Sequence, residues 1–215
     1  MTFLEIVNDV LIRLRENEVT SVGDTTYSKL IAKYVVDAQR SVEDAYNWNS
    51  LCVTLSAVTS PQLFNYVLVG AGVRFRVLDV INDTSNCFME YRSTSEMNNL
   101  FLNSTAQRGA PKYFNFNGFS PEGDTQVDIY PIPDAAYDIR FNIVQPQDPL
   151  RFDSDKLLVP DEPVIFLATA KALAERGEDG GMASAEMYTL YKESLGDHIA
   201  NESSRHPEEA QWISV

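Results

Sequence analysis

No stretch limits the possible folds of this chain more than Pro160 to Ala174. After Pro160-Asp161-Glu162-Pro163, the residues Val164, Ile165, Phe166, Leu167, Ala168, Ala170, Ala172, Leu173 and Ala174 leave no polar face at helical spacing. A helix that is apolar all round cannot sit on a surface, so other elements must wrap it. Three amphipathic segments are available. Thr2-Phe3-Leu4-Glu5 has the form of a capping box, and Phe3, Ile6, Val7, Val10, Leu11 and Leu14 follow as one stripe. Beyond Gly23-Asp24, the residues Tyr27, Leu30, Ile31, Tyr34, Val35, Ala38 and Val42 mark a second helix of about five turns, ending near Asn47-Trp48-Asn49. Gly177 to Gly181 supplies a helix stop. A last helix follows, with Met187, Tyr188, Tyr191, Leu195 and Ile199 on one side and Glu186, Lys192, Glu193 and Asp197 on the other, until Pro207 ends it.

Between the helical ends the texture is different. Segments 51–58, 62–69, 73–81 and 86–92 are short and rich in Val, Leu, Phe and Tyr, and turn residues separate them. They read as an antiparallel strand series joined by tight turns. A short helix capped by Ser95 is predicted up to Leu102, broken by Arg108-Gly109-Ala110-Pro111. After the Ser120–Asp124 turn comes a strand pair, Val127 and Ile129 on one member, Tyr137, Ile139, Phe141 and Ile143 on the other. The fold class is α+β. A helical bundle from residues 1–50 and 151–206 carries a β-rich insertion at 51–150, and residues 207–215 form a C-terminal arm.

Composition narrows the function. With 17 Lys+Arg against 31 Asp+Glu, the formal charge is −14, which disfavours broad binding to a phosphate backbone. Residues 1–16 have neither a basic leader region nor an unbroken apolar core, so no signal peptide is expected. No apolar run reaches the ~20 residues of a membrane span. Cys52 and Cys87 are expected as two buried thiols, as in a reducing cytoplasm.

No catalytic or metal constellation stands out, and no cofactor is expected. His198 and His206 lie too far apart in sequence to share a helix face as ligands, and His198 reads as a helix-surface residue. Asp153-Ser154-Asp155 lacks the glycine and distal glutamate of a calcium loop and reads as a solvated loop. Gly70-Ala71-Gly72 lies between strands with no helix after it, so it reads as a hairpin turn and not as a phosphate loop. Glu175 with Glu178 and Asp179 reads as a solvated helix end. Phe114, Phe116 and Phe119 lie in a Gly/Asn-rich stretch and could form an aromatic platform for sugars. Trp212, Ile213 and Val215 follow Glu208-Glu209 in the arm, and a subunit interface is the natural place to bury them.

The ordered set of parts resembles a known family. Tyr46-Asn47-Trp48 closes the first helix pair, and Ile129-Tyr130-Pro131-Ile132-Pro133 and Tyr137-Asp138-Ile139 lie in the insertion. Leu158-Val159-Pro160-Asp161 then opens a helix that ends in Ala174-Glu175-Arg176-Gly177-Glu178-Asp179. In that order they look like the head–tail adaptor of short-tailed bacteriophages, also called tail tubular protein A. The resemblance implies a non-enzymatic virion protein, assembled in the host cytoplasm as a twelve-subunit ring under the portal protein. Such a ring extends the channel through which phage DNA passes without sequence-specific binding, and it presents a platform to nozzle or fibre proteins. No membrane partner is implied. The alternative is a tail-associated binding module for fibre attachment or carbohydrate recognition.

Overall fold

The structure, a computed structural model, describes residues 1–102, 106–177 and 181–205. The chain folds as two compact units, Met1–Leu51 with Pro146–Val215, and Cys52–Gln145.

The first unit contains α1 (Phe3–Arg13), α2 (Thr26–Ala45), α4 (Asp161–Arg176) and α5 (Met182–Arg205). The capping box at Thr2 and Glu5 is formed as the sequence predicts. A second box, Thr25 with Ser28, starts α2. On α1, the Arg13 guanidinium stacks on the Phe166 ring. Helix α4 packs against α1, α2 and α5, and Val164, Ile165, Leu167, Ala168, Ala170 and Ala172 are all buried. Alanine on several faces lets the surrounding backbones come close, and the Ser184 hydroxyl donates to the carbonyl of Ala170 at 2.9 Å. Gly177 takes the left-handed conformation (φ 63°) and its N–H caps the Leu173 carbonyl, which only glycine does without strain.

Helix α5 departs from its predicted stripe. Only Tyr191 and Ser194 are buried on it, while Tyr188 is exposed and Leu195 and Ile199 are half-buried. Its inner face is mixed because it covers the backbone and the charged start of α4 as well as apolar side chains.

The second unit contains two four-stranded sheets packed on one core. Strands β1 (Cys52–Val58), β3 (Arg76–Asn82), β4 (Cys87–Phe88) and β8 (Asp138–Val144) form one sheet in the order β1-β8-β3-β4. Strands β2 (Asn65–Leu68), β5 (Glu90–Tyr91), β6 (Tyr113–Phe119) and β7 (Thr125–Tyr130) form the other in the order β2-β7-β6-β5. Helix α3 (Thr94–Leu102) packs on β6.

This topology corrects several expectations. Among the described residues only β3–β4 and β6–β7 are hairpins between successive strands, and β5 pairs with β6 in parallel. The predicted strand pair is no pair: β7 and β8 belong to different sheets. Alternation says which face of a strand is buried, not which neighbour it pairs with. Successive strands here switch sheets so that both apolar faces meet one core. Gly70-Ala71-Gly72 is accordingly a turn between sheets and not a hairpin. Ser93, not Ser95, caps α3: its amide and hydroxyl donate to the Glu96 carboxylate, which holds that carboxyl below its ordinary range. The cysteines are not buried thiols. Cys52 is exposed and Cys87 half-buried. They lie on opposite edge strands of one sheet, about 14 Å apart across it at ~4.8 Å per strand and at opposite ends of β8 in register, too far for a disulfide.

Candidate interaction surfaces

The polar side chains of the first unit mostly hold its own parts together. Glu162, in the first turn of α4, accepts a hydrogen bond from Ser194 Oγ at 2.9 Å and lies 3.4 Å from His198 Nε2. Ser194 and His198 are one helical turn apart on α5, so both reach the same carboxylate. A nucleophile needs its base alongside; here the carboxylate stands between hydroxyl and imidazole, and the group is a clasp between two helices. His198 is thus a half-buried partner of Glu162, not a plain surface residue. Beside the clasp lies a polar cleft of about 750 Å³ lined by Trp48, Asn49, Asp161, His198 and Arg205 among others. Among the described residues no group of His, Cys, Asp and Glu could hold a metal ion.

Asp153-Ser154-Asp155 is likewise more than a solvated loop. The Asp155 and Asp153 carbonyls accept the amides of Phe3 and Leu4, and Asp153 Oδ1 accepts the Val22 amide. Asp155 Oδ2 accepts the amides of Phe152 and Arg151, and these hold its carboxyl below the ordinary range. The loop therefore satisfies two of the orphan donors at the start of α1. The buried Gln39 side chain adds a second tie, from α2 to the carbonyl of Asp148 and the amide of Leu150.

In the second unit the amides of Gly70 and Gly72, both at positive φ, donate to Asp124 Oδ1. The turn does gather an anion as a phosphate loop would, but the anion is the chain's own carboxylate. Phe114 is buried and Phe116 packs against the core, ring edge to ring face. Only Phe119 of the three aromatics is exposed, so they form no sugar platform. Glu178, Asp179, His206 and the arm residues Trp212, Ile213 and Val215 lie outside the described residues.

Two exposed surfaces went unread in the sequence. Between Asp44 and Arg74 the chain has no charged residue, although 22% of the whole chain is charged. That stretch includes β1 and β2, the edge strands of the two sheets, and it exposes Val58 at 63% and Val69 at 74%. Open edges in monomers normally carry a lysine, a proline or a bulge against further pairing; β1 has none of these. The gap in charge was the visible signal. The other surface is a groove of about 640 Å³ in the first unit, floored by Ala32, Val36 and Leu150, with Lys29, Lys33 and Arg151 among its lining residues. Here the signal was two lysines one helical turn apart on α2.

The chain thus uses buried polar groups to tie loops to helices, and it exposes apolar and amphipathic surfaces as well as the polar cleft. It belongs to the SU10 adaptor protein family, whose sequence model matches residues 1–211. The family makes it a structural adaptor of a bacteriophage, non-enzymatic in role and sited in the virion. No curated protein matches the chain. Among the described residues no helix is long and apolar enough to cross a membrane.

Proposed function

We propose that this adaptor forms a closed ring of identical subunits, a dodecamer, between the portal protein and the tail, in the manner of tail tubular protein A. The ring extends the DNA channel and offers a platform to nozzle or fibre proteins, and it assembles in the host cytoplasm before becoming part of the virion. The family match across nearly the whole chain is the observation that carries this reading. The charge of −14 supports it, because an acidic lumen repels phosphates and lets DNA slide. The uncharged edge strands support self-association. In this reading residues 1–50 and 151–206 are the ring-forming bundle, residues 51–150 the inserted β domain, and residues 207–215 an arm that anchors Trp212, Ile213 and Val215 in a partner.

The test is particle imaging of the full chain mixed with the portal ring of the same phage. A ring stacked coaxially under the portal is expected, and no co-assembly across salt and stoichiometry would refute the reading. Deleting Glu208–Val215 is expected to weaken portal co-assembly at least tenfold at unchanged thermal midpoint. A truncated chain that joins the portal as tightly as the full one removes the arm from the mechanism.

A further inference from the structure

We propose that the groove beside Lys29 and Lys33 receives the arm, residues 207–215, of a second copy of this chain. The inference rests on the self-assembly reading above and names the surface it uses. The groove has an apolar floor of Ala32, Val36 and Leu150, and the Phe152 side chain beside it is 70% exposed. Lys29, Lys33 and Arg151 bring positive charge to it. The arm has the complementary order, Glu208-Glu209 and then Trp212-Ile213.

The lysines are available. Neither Lys29 nor Lys33 makes an ion pair among the described residues. Two exposed lysines one turn apart, with Arg151 in the same lining, give the groove a positive rim that suits an acidic segment. Asp153 in the lining and Asp37, one turn beyond Lys33, form no ion pair with the lysines among the described residues. Asp153 accepts the Val22 amide, and Asp155 accepts those of Phe152 and Arg151.

Reach decides between the chain's own arm and another's. At one end of the bundle Arg176, at the close of α4, bonds the Tyr27 hydroxyl and the Leu14 carbonyl. At the other end Glu202, near the close of α5, accepts the Asn49 amide just beyond α2. Helices α2 and α5 thus run the same way, and the chain leaves Arg205 at the end far from Lys29. Lys33 is twelve residues before Ala45, about 18 Å along the axis. The four residues from Arg205 to Glu209 span at most about 13 Å, and they would first have to reverse direction. Because Glu202 already sits at Asn49, beyond Ala45, Arg205 starts a turn farther out, and the chain's own glutamates would have to run fully extended back along α2, so the arm of a neighbour is assigned to the groove.

The test uses the full chain with Trp212 replaced by the photo-crosslinking residue p-benzoylphenylalanine, mixed as isotopically heavy and light copies. Crosslinks from position 212 to the Lys29–Val36 turns or to Phe152 are expected in heavy–light pairs. Lys29→Glu with Lys33→Glu is expected to lower their yield roughly tenfold, as for two lost exposed pairs. Mixing that variant with a Glu208→Lys, Glu209→Lys copy is expected to restore it. Crosslinks confined to single chains, crosslinks elsewhere, no crosslinks, or a yield unmoved by charge reversal would overturn the inference. Portal co-assembly of the unsubstituted chain is scored separately. Its failure with crosslinks intact sinks the adaptor reading and leaves the groove, and the converse sinks only the groove.

Discussion

Asp155 illustrates how single residues serve this fold. Its carboxylate gathers the Phe152 and Arg151 amides while its carbonyl takes the Phe3 amide, so one loop residue orders its own turn and caps a helix. Asp24 does similar work for the turn before α2, accepting the Thr20 hydroxyl and the Ser21 and Thr20 amides, which hold its carboxyl low. For Asp155 the sign of the pH effect follows. A carboxyl with a depressed folded pKa stabilises the native state above the unfolded value of about 3.9, and that contribution disappears as the pH falls through the lower folded value. Asp155→Asn is therefore expected to be less stable than the parent at neutral pH. The gap should narrow between about pH 5 and about pH 3, read from urea midpoints at each pH. A gap that stayed constant would mean that the side chain's charge plays no part. Capping at Thr2 was legible in the sequence because Glu5 follows at fixed spacing. The role of Asp155 in capping α1 was not, because Phe3 lies at the far end of the chain.

At the scale of elements, two polar ladders pin the sheets. In one, Asn142 of β8 bridges Thr54 of β1, at 2.8 Å, and Asp79 of β3, at 2.6 Å. In the other, the buried Asp128 of β7 accepts from Asn65 of β2 at 2.6 Å and from Asn117 of β6 at 2.8 Å. Each central strand thus holds both neighbours with one side chain, a register device where apolar alternation alone allows slippage. Asp128→Ala strands two amide groups and is expected to cost about 1–3 kcal/mol, measured by urea unfolding; a loss below about 0.5 kcal/mol, the scale of ordinary surface substitutions, would show that the ladder is dispensable. The strands were readable from their alternation and the helices from their stripes. The pairing was not. Val127, Ile129, Ile139, Phe141 and Ile143 all face one core, but whether their strands are neighbours or face each other across it depends on how the intervening turn crosses. Local pattern carries no record of that choice.

Over the whole molecule, the uneven distribution of charge matters more than its total. Thirty-one acidic residues keep the surface soluble and phosphate-averse, yet the edge strands β1 and β2 carry no charge at all. Lysine on such an edge blocks further pairing. Val58→Lys combined with Val67→Lys is expected to reduce self-association at least tenfold by sedimentation velocity while leaving the thermal midpoint in place, since both side chains are exposed on the edge strands. Unchanged assembly would place the subunit contact elsewhere.

Periodicity, capping and ordered motifs are local or collinear properties. From them follow the α+β class, the wrapped helix α4 and the helix stop at Gly177, while the phage adaptor entered as a resemblance carried by the order of the motifs. Folding in three dimensions was needed to part β7 and β8 into different sheets, to fill the Gly70–Gly72 turn with Asp124, and to bring Ser194 and His198 together at Glu162. The first parts strands that are close in sequence, and the other two join residues well separated along the chain. What brings them together is the burial of all apolar faces at once, a condition on the whole unit that no single segment expresses.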